Sequence, residues 1–159
     1  MPAAVFVPGG NNKMTNAKVA SEKPVPDEFI RGALEGSPFQ AWLGLQLTQI
    51  GTDFVTFTCP FKEDIISNPI AKTVHGGVLA SLIDLGGLFA LMTMTDRVRS
   101  TIDLKVDYHR PATQGPLIST ARVLDIGGRI GTASTEVRLE DGTLLASGRG
   151  LYNLGKHKS

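Results

Sequence analysis

The chain has 159 residues, 42% hydrophobic and 19% charged, and a net charge of +1, which fits one soluble globular domain. So even a balance gives no electrostatic footing for nucleic acid or for an anionic membrane surface. The single cysteine, Cys59, excludes a disulfide within the chain and suits a reducing, cytoplasmic setting, and the three histidines (His75, His109 and His157) show no metal-ligand spacing.

Residues 1–27 read as a flexible polar leader without the basic and apolar regions of a signal peptide, with Met14 as a second possible start. Residues 28–159 read as one domain. Asp27 is placed to cap a short helix that carries Phe29, Ile30, Ala33 and Leu34 on one face and ends at Gly36. Ser37-Pro38 then has the pattern of an N-cap followed by proline at the first helical position, with Phe39, Trp42 and Leu43 as anchors.

From Gly44 the period changes to two. Leu45 and Leu47 alternate with polar residues, Gly51-Thr52-Asp53 marks a turn, and Val55, Phe57 and Cys59 share one face of a second strand. These two strands predict a hairpin. Residues 62–73 read as a polar loop containing Asn68-Pro69. After the apolar segment that follows, residues 101–112 set Ile102, Leu104, Val106 and Tyr108 on one face, with Thr101, Asp103, Lys105, Asp107 and His109 on the other. Three further strands follow, the last two joined at Asp141-Gly142, a strong hairpin turn. Two strands, a helix and four strands, mostly joined as hairpins, predict an α+β fold: a curved antiparallel sheet wrapped around one buried helix.

That helix, predicted over residues 76–94, is apolar on nearly every side and therefore belongs in a protein core. Its run is at the short limit for a membrane span and carries a central acid, Asp84. Gly86 and Gly87 cost roughly 1 kcal/mol each in helix propensity, which a close approach by another backbone would repay. An isolated buried carboxylate is expensive, so Asp84 needs a partner, a cavity or a chemical role. At the helix start, Val74-His75-Gly76-Gly77 presents backbone N–H groups at the positive end of the dipole, and glycine there lets a ligand approach. Such a terminus can polarise a carbonyl. Gly76 and Asp84 are eight residues apart, about 12 Å along the helix axis. One substrate carbonyl cannot meet both within one chain. If both act together, the acid comes from a second copy, across a two-fold dimer with two equivalent sites.

Residues 68–87 (NPIAKTVHGGVLASLIDLGG) and 101–112 (TIDLKVDYHRPA) resemble the hotdog-fold acyl-CoA thioesterases of the phenylacetic-acid-degradation (PaaI-like) type. The resemblance runs from about Phe39 to Leu154. It implies hydrolysis of an acyl- or aryl-CoA thioester, without metal or organic cofactor, at a dimer interface, with dimers often paired into homotetramers. It implies that Asp84 is the catalytic acid, as general base on water or as nucleophile. It further implies that the Gly76 N–H polarises the thioester carbonyl, that His75 and Asn68 shape that site, and that Thr101 helps hold the water. Asp84 and Thr101 would come from one chain, and Asn68, His75 and Gly76 from the other. Gly77 joins them as a substrate-binding position, and Arg110, Arg129 and Arg149 are candidate cations for the anionic CoA. His109 stands where the family more often has leucine. The alternative function is a non-catalytic acyl-CoA sensor. Such regulators lack the helix acid and carry a DNA-binding segment, and the leader here has no helix-turn-helix pattern.

Overall fold

The computed structural model describes residues 24–156; His157 and most of the expected leader lie outside them. The described end of that leader is tied down: Val25 donates its N–H to the Met92 carbonyl at 2.9 Å. Helix α1 spans Asp27–Glu35 and α2 spans Pro38–Leu43. Strands β1 (Gln46–Ile50) and β2 (Phe54–Cys59) follow. A 3-10 turn at Glu63–Ile65 leads into β3 (Ile66–Asn68) and β4 (Thr73–Val74). The long helix α3 is Gly76–Met92. Strands β5 (Val98–Tyr108), β6 (Leu117–Ile126), β7 (Ile130–Arg138) and β8 (Leu144–Leu154) complete the chain.

The main sheet has the order β1-β2-β6-β7-β8-β5, every neighbouring pair antiparallel. Helix α3 lies across it, against β2 and β5 to β8. This is the antiparallel sheet around one helix that the order of elements predicts, and the hotdog arrangement that the resemblance implies. The core follows from the alternation of the strands: Val55, Phe57, Leu117, Ala121, Val137 and Leu145 face Leu79, Leu82, Ile83 and Phe89 of the helix, all buried, and Tyr152 packs with Leu91, Ile126, Ala133 and Leu154 in a second cluster.

Four details depart from the sequence reading. Asp27 is the first helical residue of α1, not its cap; Pro26 takes the cap position without a side-chain bond, and Asp27 instead places its charge in the first turn. Of the expected anchors, Ile30, Leu34 and Leu43 are buried, whereas Phe29, Ala33, Phe39 and Trp42 are exposed. Phe39 and Trp42 stack on one another at 6.1 Å, with Lys62 over the indole. The polar loop contains a small hairpin: β3 pairs with β4, and Ile65 within the loop and Val74 just after it are core residues.

The fourth departure is in β5. Its register against β8 shifts between Thr101 and Asp103. A bulge of this kind places two residues opposite one and reverses the alternation beyond it. Thr101 therefore shares the helix side with Leu104 and Val106, while Ile102 is exposed.

At Gly86 and Gly87 the close neighbours are side chains of the sheet, Thr135 and Ala121 at the first and Tyr152 at the second, rather than the second backbone that the sequence suggests. A Cβ on Gly87 would stand 2.1 Å from the Tyr152 hydroxyl oxygen and 2.7 Å from its Cζ. Gly87→Ala gains about 1 kcal/mol of helix propensity but drives its Cβ into the ring of Tyr152, which is fully buried. Overpacking of this kind costs about 1–3 kcal/mol, occasionally more. Urea denaturation of Gly87→Ala is expected to show a lower midpoint than wild type; an unchanged or higher midpoint would mean that Tyr152 does not fill this space.

Candidate functional site

The start of α3 is built by His75. Its backbone is extended (φ −60°, ψ 130°), and its side-chain Nδ1 accepts the Gly77 N–H at 2.9 Å, capping the helix. An accepting Nδ1 carries no proton, so the neutral ring holds its hydrogen on the outward Nε2. The Val78 N–H goes to the His75 carbonyl. The Gly76 N–H is left, at the first helical position, with no partner among the described residues. The Gly77 N–H is committed to His75. A Cβ there would stand 2.9 Å from that Nδ1, so glycine at 77 makes the cap possible.

Gly76 faces a cleft of about 360 Å³ lined by Thr73, Leu79, Tyr108, His109 and Arg110, among others. Tyr108 donates its hydroxyl to the Gly76 carbonyl at 3.0 Å, and its ring lies over the glycine. His109 pairs with the Ser147 hydroxyl at 2.8 Å through Nε2. This hydrogen bond accounts for a histidine at a position that leucine would leave apolar.

Asp84 lies two turns further along the same unbroken helix, about 12 Å away by its rise. Its surroundings answer the cost of a carboxylate on an apolar helix. Thr101 donates its hydroxyl to Asp84 Oδ1 at 2.6 Å, within the short range of bonds to a charged acceptor. Oδ2 has no partner among the described residues. Asp84 is half-buried, on a side of α3 that also carries Ser81, Leu85, Leu88 and Met92, each only partly covered by this chain.

The remaining expected residues are spread out. Asn68 is exposed in the β3–β4 hairpin, where Oδ1 accepts the N–H groups of Ile70 and Ala71 at 3.0 and 2.9 Å and shapes the turn. Arg110 shares the cleft of Gly76 and donates to the Leu144 carbonyl at 3.3 Å. Arg129 is exposed at the turn between β6 and β7. Arg149 lies on the sheet face away from α3, in a second cleft with Lys105 and Arg122. Cys59 is no nucleophile: burial pushes its thiol up to about 11, against the opposing pull of Lys62.

Two residues were given no site role from the sequence. The chain has two tyrosines, and both hydroxyls donate to carbonyls of α3: Tyr108 to Gly76, and Tyr152 to Asp84 at 2.9 Å. The available signal was a pattern of glycines, at 76, 87 and 150, that leaves room for the rings.

The thioesterase superfamily model matches residues 71–146, the stretch from the hairpin before α3 into β8. The chain is 31% identical over 133 residues to the medium/long-chain acyl-CoA thioesterase YigI of Salmonella typhimurium, covering 74% of this chain and 86% of that protein. It is 30% identical over 131 residues to acyl-coenzyme A thioesterase 13 of Pongo abelii, covering 80% and 93%. Among solved structures, a protein described as from the thioesterase superfamily superposes with a TM-score of 0.76 at 38% identity, covering 80% of this chain and 96% of that one. Thioesterase superfamily member 2 from Mus musculus gives 0.70 at 26%, covering 80% and 96%. The chain belongs to the thioesterase superfamily and is a thioester hydrolase. Among the described residues no helix is long and apolar enough to cross a membrane.

Proposed function

We propose that this protein is a cytoplasmic acyl-CoA thioesterase of the PaaI-like type, working as a homodimer at least and as a homotetramer in full assembly. The observation that carries the reading is the pairing of opposites on one rigid helix. Among the described residues, Asp84 has one oxygen tied to Thr101 and the other open, and the Gly76 N–H, without a partner there, sits two turns away. The helix keeps them too far apart to act on one carbonyl within a chain. The partly covered stripe with Asp84, Leu85 and Leu88 favours a second copy at this point.

In each site Asp84 of one copy takes a proton from a water molecule, with Thr101 fixing the carboxylate. The water oxygen forms its bond to the thioester carbon. The Gly76 N–H and the helix dipole of the other copy receive the oxyanion. The tetrahedral intermediate then breaks its C–S bond, CoA leaves as the thiolate, and the proton on Asp84 neutralises it. His75, next to Gly76, presents its Nε2–H beside the carbonyl site, and Asn68 acts at one remove by shaping the hairpin that leads into the helix. Arg110 is the best placed of the three arginines for the CoA phosphates, because it shares the cleft of Gly76.

The YigI and thioesterase 13 names point to acyl-CoA as substrate class. The test is release of free CoA from a panel of short-, medium- and long-chain acyl-CoA and aryl-CoA thioesters, with the enzyme's mass followed by sizing. Turnover of at least one ester by a dimer or tetramer is expected. Tight binding of acyl-CoA without turnover would replace the enzyme with the sensor reading, and turnover by a monomer would remove the shared site.

A further inference from the structure

Three consecutive carbonyls in the middle of α3 receive hydroxyl protons from three adjacent strands. Ser119 of β6 donates to the Leu82 carbonyl at 3.2 Å, Thr135 of β7 to Ile83 at 3.1 Å, and Tyr152 of β8 to Asp84 at 2.9 Å. All three donors are buried. A helical carbonyl already serves its own helix and has a second lone pair to offer, so each bond ties helix to sheet without breaking the helix. A buried hydroxyl without a partner would be costly, so each donor has a fixed target.

Tyr152 differs from the other two in what it reaches. It is the largest fully buried side chain among the described residues, and Gly87 and Gly150 leave the space its ring occupies. In the β5–β8 register its direct neighbour is Thr101. One cross-strand pair therefore holds Asp84 twice: Tyr152 by the backbone carbonyl, Thr101 by the carboxylate. The bulge after Thr101 turns that hydroxyl toward the helix, and the Tyr152 bond sets how far along and how deep the helix lies beneath it. Burial and the nearby Asp84 charge raise the Tyr152 phenol well above its ordinary range, so it stays a donor wherever the enzyme works.

We infer that Tyr152 is a positioning residue for Asp84: its buried hydroxyl, bonded to the Asp84 carbonyl, fixes the helix so that the carboxylate stays in register with Thr101. The inference rests on the catalytic role proposed for Asp84. A displacement of the reacting group by about 1 Å costs on the order of a hundredfold in rate, and loss of one of the two holds should produce part of that.

The experiment compares Tyr152→Phe with Ser119→Ala and Thr135→Val, which remove the same kind of bond from the neighbouring carbonyls. kcat and KM for acyl-CoA hydrolysis are measured, together with the crystallographic Thr101–Asp84 separation. Tyr152→Phe is expected to lower kcat about tenfold, leave KM within about twofold, and lengthen the Thr101–Asp84 contact from 2.6 Å to beyond about 3.5 Å. The two control variants lower thermal stability but keep kcat within about twofold and the contact intact. A Tyr152→Phe enzyme whose kcat falls no further than the controls overturns the inference. So does one whose Thr101–Asp84 contact is unchanged. If wild type hydrolyses no thioester, or Asp84→Asn keeps full activity, the functional proposal fails by itself, and the separation alone still decides whether Tyr152 places the carboxylate.

Discussion

Asp84→Asn is expected to lower kcat for thioester hydrolysis by at least about a hundredfold, within the range for loss of a general base, while the protein stays folded and keeps its assembly state. The substitution is close to isosteric. An amide oxygen still accepts the Thr101 hydroxyl that Asp84 Oδ1 accepts at 2.6 Å, and the backbone carbonyl still accepts from Tyr152. What disappears is the basic oxygen and the negative charge. Removing a half-buried charge from an apolar helix face relieves desolvation, so thermal stability should hold or rise slightly. Activity lost with stability kept is the signature of a chemical role. Activity kept in Asp84→Asn would make this acid a structural hydrogen-bond acceptor and move the base elsewhere. The comparison is read from wild type and variant on the same ester, with circular dichroism and sizing as controls.

How far the site was legible in the sequence follows from what each feature depends on. The helix start was legible because its determinants are local: a histidine followed by two glycines, of which Gly77 leaves the room for its ring to fold back as the cap. Asp84 was legible because a single charge in a long apolar run conflicts with its surroundings, and such conflicts gather at functional sites. The distance between the two came from helix geometry alone, and the unbroken α3 keeps it.

Strict alternation placed Thr101 on the face opposite Leu104; only the family resemblance put it near the acid. The bulge between Thr101 and Asp103 reconciles the two, and a bulge is a tertiary choice with no clear mark in that stretch. Tyr152 was read only as part of a strand, since its partner is a helix carbonyl 68 residues earlier. Phe39 and Trp42 failed as anchors for a related reason: periodicity gives a face, but Gln40 and Leu43 are the residues of α2 that turn inward. The hairpin of β3 and β4 was taken for a loop because its polar residues outnumber Ile65 and Val74, the two that are buried.

Gly76→Pro isolates the other half of the proposed chemistry. Proline removes one N–H, the one at the helix start without a partner among the described residues. It does so at the first helical position, where proline is favoured. The residue before it must be extended, and His75 already is, at φ −60° and ψ 130°. Folding should therefore survive. The steric cost is modest, since a Cβ at 76 meets the Tyr108 ring at 3.3 Å, and Gly76→Ala supplies the control with the same Cβ and the N–H retained. Loss of one oxyanion donor costs about 10²–10³ in kcat, so Gly76→Pro should fall by that much while Gly76→Ala stays within about tenfold of wild type. Equal losses in the two would assign the effect to Tyr108 and the shape of the cleft. Mixing gives the sharper result. Asp84→Asn and Gly76→Pro, each nearly inactive, are unfolded together in equal amounts and refolded. Half the dimers should be mixed, and each mixed dimer has one site with both defects and one with neither. Activity should return to roughly a quarter of wild type, because a two-fold interface builds each site from complementary halves. A refolded mixture that stays as inactive as its parents would place Asp84 and Gly76 in separate events within one chain.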